Sequence, residues 1–292
     1  MTLLEVFHEQ IRLAGREDEP RPGLVIDTDG PVRRTWTRDP GGFAMVECPA
    51  GLGEAPDHWI DRQVEFFRGR GQELEWKTYD DDEPADLLDR LRHKGFEIGD
   101  DEALVLGRVA DLVHPASPTL QDPKVLQSSR PATSQDPRVL QSSGQGRGGA
   151  KGVHLRRVEV DDDAAFAGIE ALMEVVWGRR DGHTARLREE LRAAPEGLDV
   201  LVAELDGQIV SAAWVRYSPG TDFCSFWGGS THPDARGRGV YRALVAERAR
   251  LAAARGFPFV RVDCSPESLP ILTRLGLQRV ATTVPATLPV VR

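Results

Sequence analysis

The sequence predicts a mixed α/β protein of two domains, each with a central, mostly antiparallel sheet flanked by helices, joined by a flexible linker. The length of 292 residues suits two domains, because a domain commonly holds about 100–200 residues. Strand-like alternation and helix-like periodicity follow one another in two blocks, residues 1–113 and 153–292. Residues 114–152, between the blocks, are rich in Pro, Ser, Gln and Gly and contain no aromatic residue. The predicted boundaries are therefore 1–113, 114–152 and 153–292.

The first block is predicted to mix short strands with two helices. A helix fits residues 57–68, where apolar side chains recur along one face. A second helix is predicted at 84–93, because Pro at its start and Gly95 just after its end are typical helix boundaries. The strands predicted around these helices are residues 24–27, 32–37, 43–48, 74–79 and 103–109.

The second block shows a more regular order of elements. Asp206-Gly207 lies between two apolar runs, which is a strong signal for a β-hairpin. Predicted strands cover residues 153–160, 199–205, 208–217, 222–231, 258–263 and 277–283, with a last edge strand over 285–291. Predicted helices cover residues 164–176, 184–192, 239–255 and 266–275.

Both blocks contain the same order of elements: strand, helix, strand, a helix that ends at glycine, and a strand. The helix-ending glycines are Gly95 and Gly276, in the segments RLRHKGFEI and LTRLGLQRV. This order indicates two copies of one fold, of which the first has diverged further. Independent use of a common supersecondary pattern is the alternative.

The segment between the blocks contains a direct repeat. QDPKVLQSS at residues 121–129 returns as QDPRVLQSS at residues 135–143. Two copies are too few for a solenoid, and the composition offers too little apolar surface to offset the entropy of ordering. We interpret residues 114–152 as a flexible linker, with a partner-binding motif as the alternative.

Charge and composition exclude several classes of protein. The net charge is −9; residues 1–113 carry 26 acidic and 14 basic side chains, and residues 153–292 carry 18 of each. This balance disfavours nucleic-acid binding, which requires basic surface. The acidity of the first block would attract cationic substrates, although a solvated surface is the plainer explanation. The three cysteines are scattered, which predicts neither a disulfide framework nor a metal cluster. No apolar run is long enough to cross a membrane, and the acidic start is unlike a signal peptide. We therefore expect a cytoplasmic protein.

Residues 228–243, which read GGSTHPDARGRGVYRA, carry the clearest chemical signal. A predicted strand ends here, the chain turns, and Arg-Gly-Arg-Gly opens the long helix. Gly237 and Gly239 allow a ligand to approach the backbone closely. The unpaired N–H groups and the dipole of the first helical turn favour a phosphate, and Arg236 and Arg238 add positive charge. The segment is not a Walker A loop or a dinucleotide fingerprint, because it lacks the Gly-Lys-Ser/Thr and the third glycine of those motifs.

This segment resembles the acetyl-CoA signature of the GNAT acetyltransferase superfamily, Gln/Arg-x-x-Gly-x-Gly/Ala. Arg236, Gly239 and Tyr241 fall on its three fixed positions, and Tyr241 departs from the Gly/Ala of the pattern. The order of elements from residue 153 to about 283 is similar as well. The whole chain resembles a tandem GNAT protein whose N-terminal half is degenerate. The resemblance implies acetyl-CoA as co-substrate and a small-molecule or peptide amine as acceptor.

The resemblance also implies where acetyl-CoA would bind. The backbone of residues 237–241 would hold the pyrophosphate. The strand that ends at residues 228–231 would diverge from the strand at 259–263, and the pantetheine arm would lie in the gap. The residues that this predicts for the cofactor are Ser230, Thr231, Arg236, Gly237, Arg238, Gly239, Val240, Tyr241 and Ser265, the last in place of a common Asn.

The catalytic residues are less well defined. Many family members use a Glu on the diverging strand as base, and that position falls near Ser225, with Asp222 as the nearest carboxylate. His232 is a third candidate base, although a histidine in such a turn more often stabilises the turn. Many members use a Tyr as acid, and Leu272 occupies that position. Further candidates, each also explained by a structural role, are Cys264, the aromatic residues Trp214, Tyr217 and Trp227, and the loop residues Trp177, Arg179, Arg180, Asp181 and His183.

The sequence therefore predicts an N-acetyltransferase in which the amine attacks the thioester directly. Two alternatives stay open at this point. One is acyl transfer to another amine, as in mycothiol synthase, which is similarly built from two GNAT halves. The other is a CoA-binding regulatory module without turnover, which the absence of the usual Glu and Tyr favours. Neither the acceptor nor the oligomeric state is predicted.

Overall fold

The strands of both blocks join in one mixed sheet. A computed structural model describes residues 1–14, 23–39, 42–113, 152–178 and 182–290. The predicted linker lies outside the described residues, apart from Gly152.

Among its described residues, the first block holds an N-terminal helical segment, six strands and three further helices. In chain order these are α1 (Leu3–Phe7), a short π-helix (His8–Arg12), β1 (Leu24–Asp29), β2 (Val32–Thr37), β3 (Ala44–Glu47), α2 (Pro56–Gly69), β4 (Leu74–Tyr79), α3 (Leu87–His93), β5 (Glu97–Ile98), β6 (Glu102–Arg108) and α4 (Val109–Val113).

The second block follows the predicted order closely. Its elements are β7 (Val153–Arg157), α5 (Asp163–Trp177), α6 (His183–Ala193), β8 (Leu198–Leu205), β9 (Gln208–Tyr217), β10 (Phe223–Thr231), a 3-10 turn (Pro233–Ala235), α7 (Val240–Ala254), β11 (Phe259–Cys264), α8 (Leu269–Arg274) and β12 (Gln278–Leu288). The hairpin predicted at Asp206-Gly207 is confirmed, because β8 and β9 pair antiparallel on either side of it.

The sheet has the strand order β1-β2-β3-β4-β12-β6-β11-β10-β9-β8-β7, with the short β5 paired to β12. Neighbours are antiparallel except for β3–β4 and β10–β11, which are parallel. The last strand of each block lies among strands of the other block: β12 lies between β4 and β6, and β6 lies between β12 and β11. The mixed α/β class is confirmed, and the strands of the two blocks form a continuous sheet.

Two features of the structure differ from the prediction. The edge strand predicted over 285–291 is wrong, because residues up to Leu288 continue β12 in the interior of the sheet, where they pair with β4. The helical segment at the N-terminus was not predicted. It buries Phe7 against Leu104, Leu106 and Phe223, so its apolar stripe belongs to the core.

Helices cover both faces of the sheet. The first face packs against α2 and α3 in one half, and against α4, α7 and α8 in the other. The second face packs against α5 and α6 at the β8–β9 end and against α1 near the centre. Alternate residues of each strand point to opposite faces, so Val105 packs on the first face and Leu104 on the second.

Candidate functional site

A gap opens between β10 and β11, where their parallel pairing stops. The two strands pair only from Phe223 and Phe259 to Ser225 and Arg261. Beyond Ser225, β10 continues to pair with β9, with a bulge that begins after Trp227. The remaining part of β10 therefore diverges from β11, as the sequence predicted, and both strands present unpaired edges to the gap.

Gly228 makes the bulge possible. Its φ is +66°, a backbone conformation that residues with a side chain rarely adopt. In addition, a Cβ atom at this position would lie 2.0 Å from the ring of Trp214. Trp214 is itself buried and stacks on the imidazole of His183. The close approach of this ring to the backbone requires glycine at position 228.

A cleft of ≈ 790 Å³ lies on the first face beside the gap, between the end of β10 and the starts of α7 and α8. Eight of the nine residues predicted for the cofactor line it: Ser230, Thr231, Arg236, Gly237, Gly239, Val240, Tyr241 and Ser265. The ninth, Arg238, is exposed and does not line the cleft. Val176 and Trp177 at the end of α5 form part of the opposite wall. The structure thus places Ser230 and Ser265, which are 35 positions apart in the sequence, at the same cleft.

The N-terminus of α7 faces this cleft without a side-chain cap. Gly239 is the N-cap residue, with φ +79° and no side-chain hydrogen bond to the first turn. Gly237 also has positive φ, +73°, and open space where a Cβ atom would lie. The first N–H groups of a helix have no intrahelical acceptor, and the helix dipole makes this end positive. This end of α7 can therefore bind an anion.

Tyr241 lies against the bulge and contacts a buried arginine. A Cβ atom at Gly229 would be 2.5 Å from Cε2 of Tyr241. Arg248, one of the most deeply buried side chains, donates to the carbonyl oxygens of Trp214 and Trp227 at 3.4 and 3.3 Å. Burial lowers the pKa of Arg248, and the nearby Tyr241 opposes that shift. The sequence reasoning missed Arg248, although its position seven residues after Tyr241 places both on one side of α7.

The three candidate bases lie outside the residues that line the cleft. The side chain of Gln10 donates to Asp222 Oδ2 at 2.8 Å and accepts from the Asp222 backbone N–H at 2.7 Å. Ser225 is buried and accepts a hydrogen bond from Trp227 Nε1 at 2.8 Å. His232 Nδ1 accepts from the backbone N–H of Asp234 at 3.3 Å, which stabilises the turn before α7.

The remaining aromatic and thiol candidates have structural contacts. The hydroxyl of buried Tyr217 donates to Asp199 Oδ2 at 2.6 Å, and burial raises the pKa of Tyr217. Burial also raises the pKa of the Cys264 thiol to about 11. Leu272, at the position of the usual Tyr, is fully buried. Trp227 is 37% exposed.

The loop after α5 is described only in part. Trp177 Nε1 donates to Ser230 Oγ at 2.9 Å, which joins α5 to the edge of β10 at the cleft. Arg179, Arg180 and Asp181 lie outside the described residues. Nowhere in the ranges that the structure describes is a helix both long and apolar enough to span a membrane.

In this mixed sheet with helices on both faces, a parallel strand pair diverges beside an uncapped helix N-terminus. This arrangement is characteristic of the fold of GNAT acyltransferases. Residues 144–264 match the family model described as "Acetyltransferase (GNAT) domain". These residues therefore form a GNAT acetyltransferase domain, and the fold of the whole chain is similar to that of a tandem GNAT protein. The predicted resemblance is confirmed. Acetyl transfer is the general activity of this family.

Solved structures share this fold over most of the chain. A GCN5-related N-acetyltransferase from Kribbella flavida is 16% identical with a TM-score of 0.60, over 92% of this chain and 90% of that one. A GCN5-related N-acetyltransferase from Sphaerobacter thermophilus is 15% identical with a TM-score of 0.57, over 90% and 78%. A tandem GNAT protein from the clavulanic acid biosynthesis pathway is 11% identical with a TM-score of 0.58, over 94% and 85%. No curated protein matches the sequence of this chain.

Proposed function

We propose that the cleft binds acetyl-CoA and that the second block transfers its acetyl group to an amine. The observation that supports this most directly is the uncapped N-terminus of α7, which opens onto the cleft behind two glycines of positive φ. In this proposal the backbone N–H groups of residues 237–241 hold the pyrophosphate. The guanidinium groups of Arg236 and Arg238 add charge-assisted contacts.

The pantetheine arm would run through the gap between β10 and β11. Its amides would pair with the unpaired edges of these strands, as an added strand does. Ser230, Thr231 and Ser265 line this path from either side. Tyr241 would border the arm rather than the pyrophosphate, because its ring lies against Gly229, on the bulge of β10.

The proposed reaction is a direct transfer. The lone pair of a neutral amine attacks the thioester carbonyl carbon, and a C–N bond forms. The C–S bond then breaks, CoA leaves as a thiolate that takes up a proton, and the amine nitrogen loses one. A base for the amine is required because amines are mostly protonated at neutral pH. Backbone N–H groups at the bulge would stabilise the oxyanion.

The two blocks would act as GNAT-like domains, residues 1–113 and 153–292, with 114–152 as linker. The first block would support the shared sheet and one wall of the acceptor site. The three cysteines are free and buried, which supports a reducing, cytoplasmic location. The regulatory alternative is a cofactor-binding module without turnover. It is favoured by the buried Leu272 in place of a tyrosine and by Ser225 in place of a carboxylate.

A thermal-shift measurement on the full chain tests the cofactor site. Acetyl-CoA should raise the melting temperature of the wild type and should no longer do so in Gly239→Glu, because a carboxylate would occupy the anion site. Gly71→Glu is the matched control, because Gly71 also has positive φ and open space around its Cβ position, but lies in a turn after α2. A full response in Gly239→Glu would refute the proposed site. Release of CoA with an amine separates turnover from binding alone.

A further inference from the structure

A polar cluster lies on the second face of the sheet, where strands of the two blocks meet. We call it the junction cluster; its members are Glu75 and Lys77 on β4, Glu102 on β6, Asp263 on β11 and Thr283 on β12. Thr283 pairs directly with Glu102 in the sheet, so both side chains point to the same face. The proposed cofactor path does not use any of these residues.

Two buried atoms in this cluster have no hydrogen-bond partner in the part of the chain that the structure describes. Lys77 Nζ lies 2.7 Å from Asp263 Oδ2, with the two side chains only 10% and 7% exposed. The other carboxylate oxygen, Oδ1, is buried and receives no hydrogen bond from the residues that the structure describes. Thr283 is fully buried, and its hydroxyl is likewise unpartnered within the described ranges. Buried polar groups are normally hydrogen-bonded, so these atoms indicate a site for a polar ligand.

The charges of the junction cluster favour a cation. Three carboxyl groups, Glu75, Glu102 and Asp263, lie near the ammonium of Lys77. Of these, Asp263 also lies near the guanidinium of Arg261. Burial raises the pKa of Glu102, and the charge of Asp263 adds to that shift against the effect of Lys77. Burial also raises the pKa of Glu75, and its neighbours Glu102, Asp263 and Glu47 contribute. Glu47 itself pairs with Arg33 at 2.5 Å. The remaining excess of carboxyl groups can be balanced by a ligand ammonium.

The junction cluster borders the gap through which the thioester would pass. Pairing of β10 with β11 ends at Arg261, so Asp263 lies on the part of β11 whose edge faces the gap. Its side chain is directed to the second face, opposite the cleft, because neighbouring Val262 and Cys264 pack on the first. Glu75 and Glu102 are only half-buried, so the junction cluster is reachable from solvent. An amine bound here would be next to the gap.

We propose that the junction cluster is the acceptor subsite and that the acceptor is a cationic amine, bound by Glu75, Glu102 and Asp263. This rests on the proposed function. Glu102 accepts a proton from the bound ammonium, and the freed lone pair attacks the thioester carbonyl carbon. The C–N bond forms as the C–S bond breaks, and the CoA thiolate takes up a proton from solvent. Glu75 and Glu102 both belong to the acidic first block, so its negative charge contributes to binding of a cationic acceptor.

Binding of defined amines to the full chain tests this subsite. The probes are spermidine, kanamycin and a lysine-containing dipeptide amide as cations, and glutamate as an amine of negative charge. At least one cation should raise the melting temperature, and glutamate should not. Glu75→Gln and Glu102→Gln should each weaken that binding at least tenfold and leave the acetyl-CoA shift unchanged. Glu97→Gln, an exposed carboxylate on β5, is the matched control.

Each outcome decides between the two proposals. If acetyl-CoA binds but none of the cations does, or if both variants bind the cation as the wild type does, the acceptor subsite is refuted and the cofactor site stands. If acetyl-CoA itself fails to bind, the proposed function fails first. Because the Glu→Gln changes preserve shape, two independent variants guard against a loss of folding at either position.

The pH dependence of turnover with the bound cation gives a second readout. Below its raised pKa Glu102 is protonated and cannot accept a proton, so kcat/KM of the wild type should fall as the pH decreases through that value. In Glu102→Gln kcat should be at least tenfold lower, and this acidic limb should be absent. In Glu75→Gln the limb should remain while KM rises. An unchanged limb in Glu102→Gln would refute the role of Glu102 as the base.

Discussion

At the bulge of β10 the phenol ring of Tyr241 packs directly on the backbone of Gly229, which has no side chain. The ring occupies the volume that a Cβ atom at position 229 would need, at 2.5 Å. Gly229 does not have positive φ, so glycine is required there for space and not for backbone conformation. The departure of Tyr241 from the family pattern at the start of α7 is thus explained by a partner twelve positions earlier in the chain.

Gly229→Ala should push the ring of Tyr241 out of place and disturb the bulge beside the cleft. Overpacking of this kind costs about 1–3 kcal/mol in the free energy of unfolding, and we expect acetyl-CoA to bind at least tenfold more weakly. In the Tyr241→Ala background the same substitution should cost less on both measures than in the wild type, because the contact is already absent. Urea denaturation and calorimetric titration measure the two effects. Gly69→Ala, at an open position of ordinary φ, is the control. Equal costs of Gly229→Ala in the two backgrounds would show that the contact is not the cause.

At the residue scale the sequence identified the loop before α7 as a candidate anion site, because that chemistry depends on neighbours in the chain, and Arg236, Gly237 and Gly239 of this loop line the cleft. It could not predict that Arg248 binds the carbonyl oxygens of Trp214 and Trp227, because that contact depends on how α7 packs on the sheet. The junction cluster could not be predicted from the sequence for the same reason, because its residues come from four different strands. Which side chains meet across strands is decided by register, and register is not a local property of the sequence.

The N-terminal helical segment holds the start of β10 in place. The segment packs Phe7 edge-on against Phe223, with ring centroids 5.8 Å apart. Gln10 makes two hydrogen bonds to Asp222, one to its side chain and one to its backbone. Arg12 Nη2 lies 2.6 Å from Asp82 Oδ1, and both side chains are almost fully buried. The element therefore connects β10 to the loop that follows β4.

Gln10→Ala should lower the free energy of unfolding by about 1–3 kcal/mol, because it leaves a partly buried donor and acceptor of Asp222 without partners. Glu9→Ala, an exposed neighbour in the same turn, should change it by no more than about 0.5 kcal/mol. Equilibrium urea denaturation of the full-length variants measures both. Equal effects of the two substitutions would show that the hydrogen bonds of Gln10 do not stabilise the fold.

At the element scale the sequence was informative, because helices and strands are set by local periodicity and by boundary residues. The long helix predicted at 239–255 corresponds to α7, which spans Val240–Ala254. The N-terminal segment was missed because its few apolar positions, such as Leu3 and Phe7, are too short a pattern to stand out. The same periodicity does not identify strand neighbours, and for this reason the end of β12 was assigned to an edge.

The exchange of last strands makes the two blocks depend on each other. Without the first block, β11 would lose β6 from one edge and β12 would lose all three of its partners, β4, β5 and β6. Without the second block, β4 and β6 would lose β12 from between them. Exposed strand edges favour aggregation, and the buried pair of Lys77 and Asp263 also crosses between the blocks. Neither block has a complete sheet of its own.

We therefore expect residues 1–113 and 152–292, expressed as separate chains, to fold only together. Produced together they should copurify as a one-to-one complex that unfolds in a single transition and responds to acetyl-CoA. Either chain alone should be aggregated or lack a cooperative transition by circular dichroism. Leu104→Pro in the first chain should prevent assembly, because proline removes a ladder hydrogen bond from β6, a central strand. Leu13→Ala, at an exposed position outside the sheet, should permit it. The opposite result would be a monomeric 152–292 chain that unfolds in a cooperative transition. It would show that β11 and β12 do not need the strands of the first block for folding.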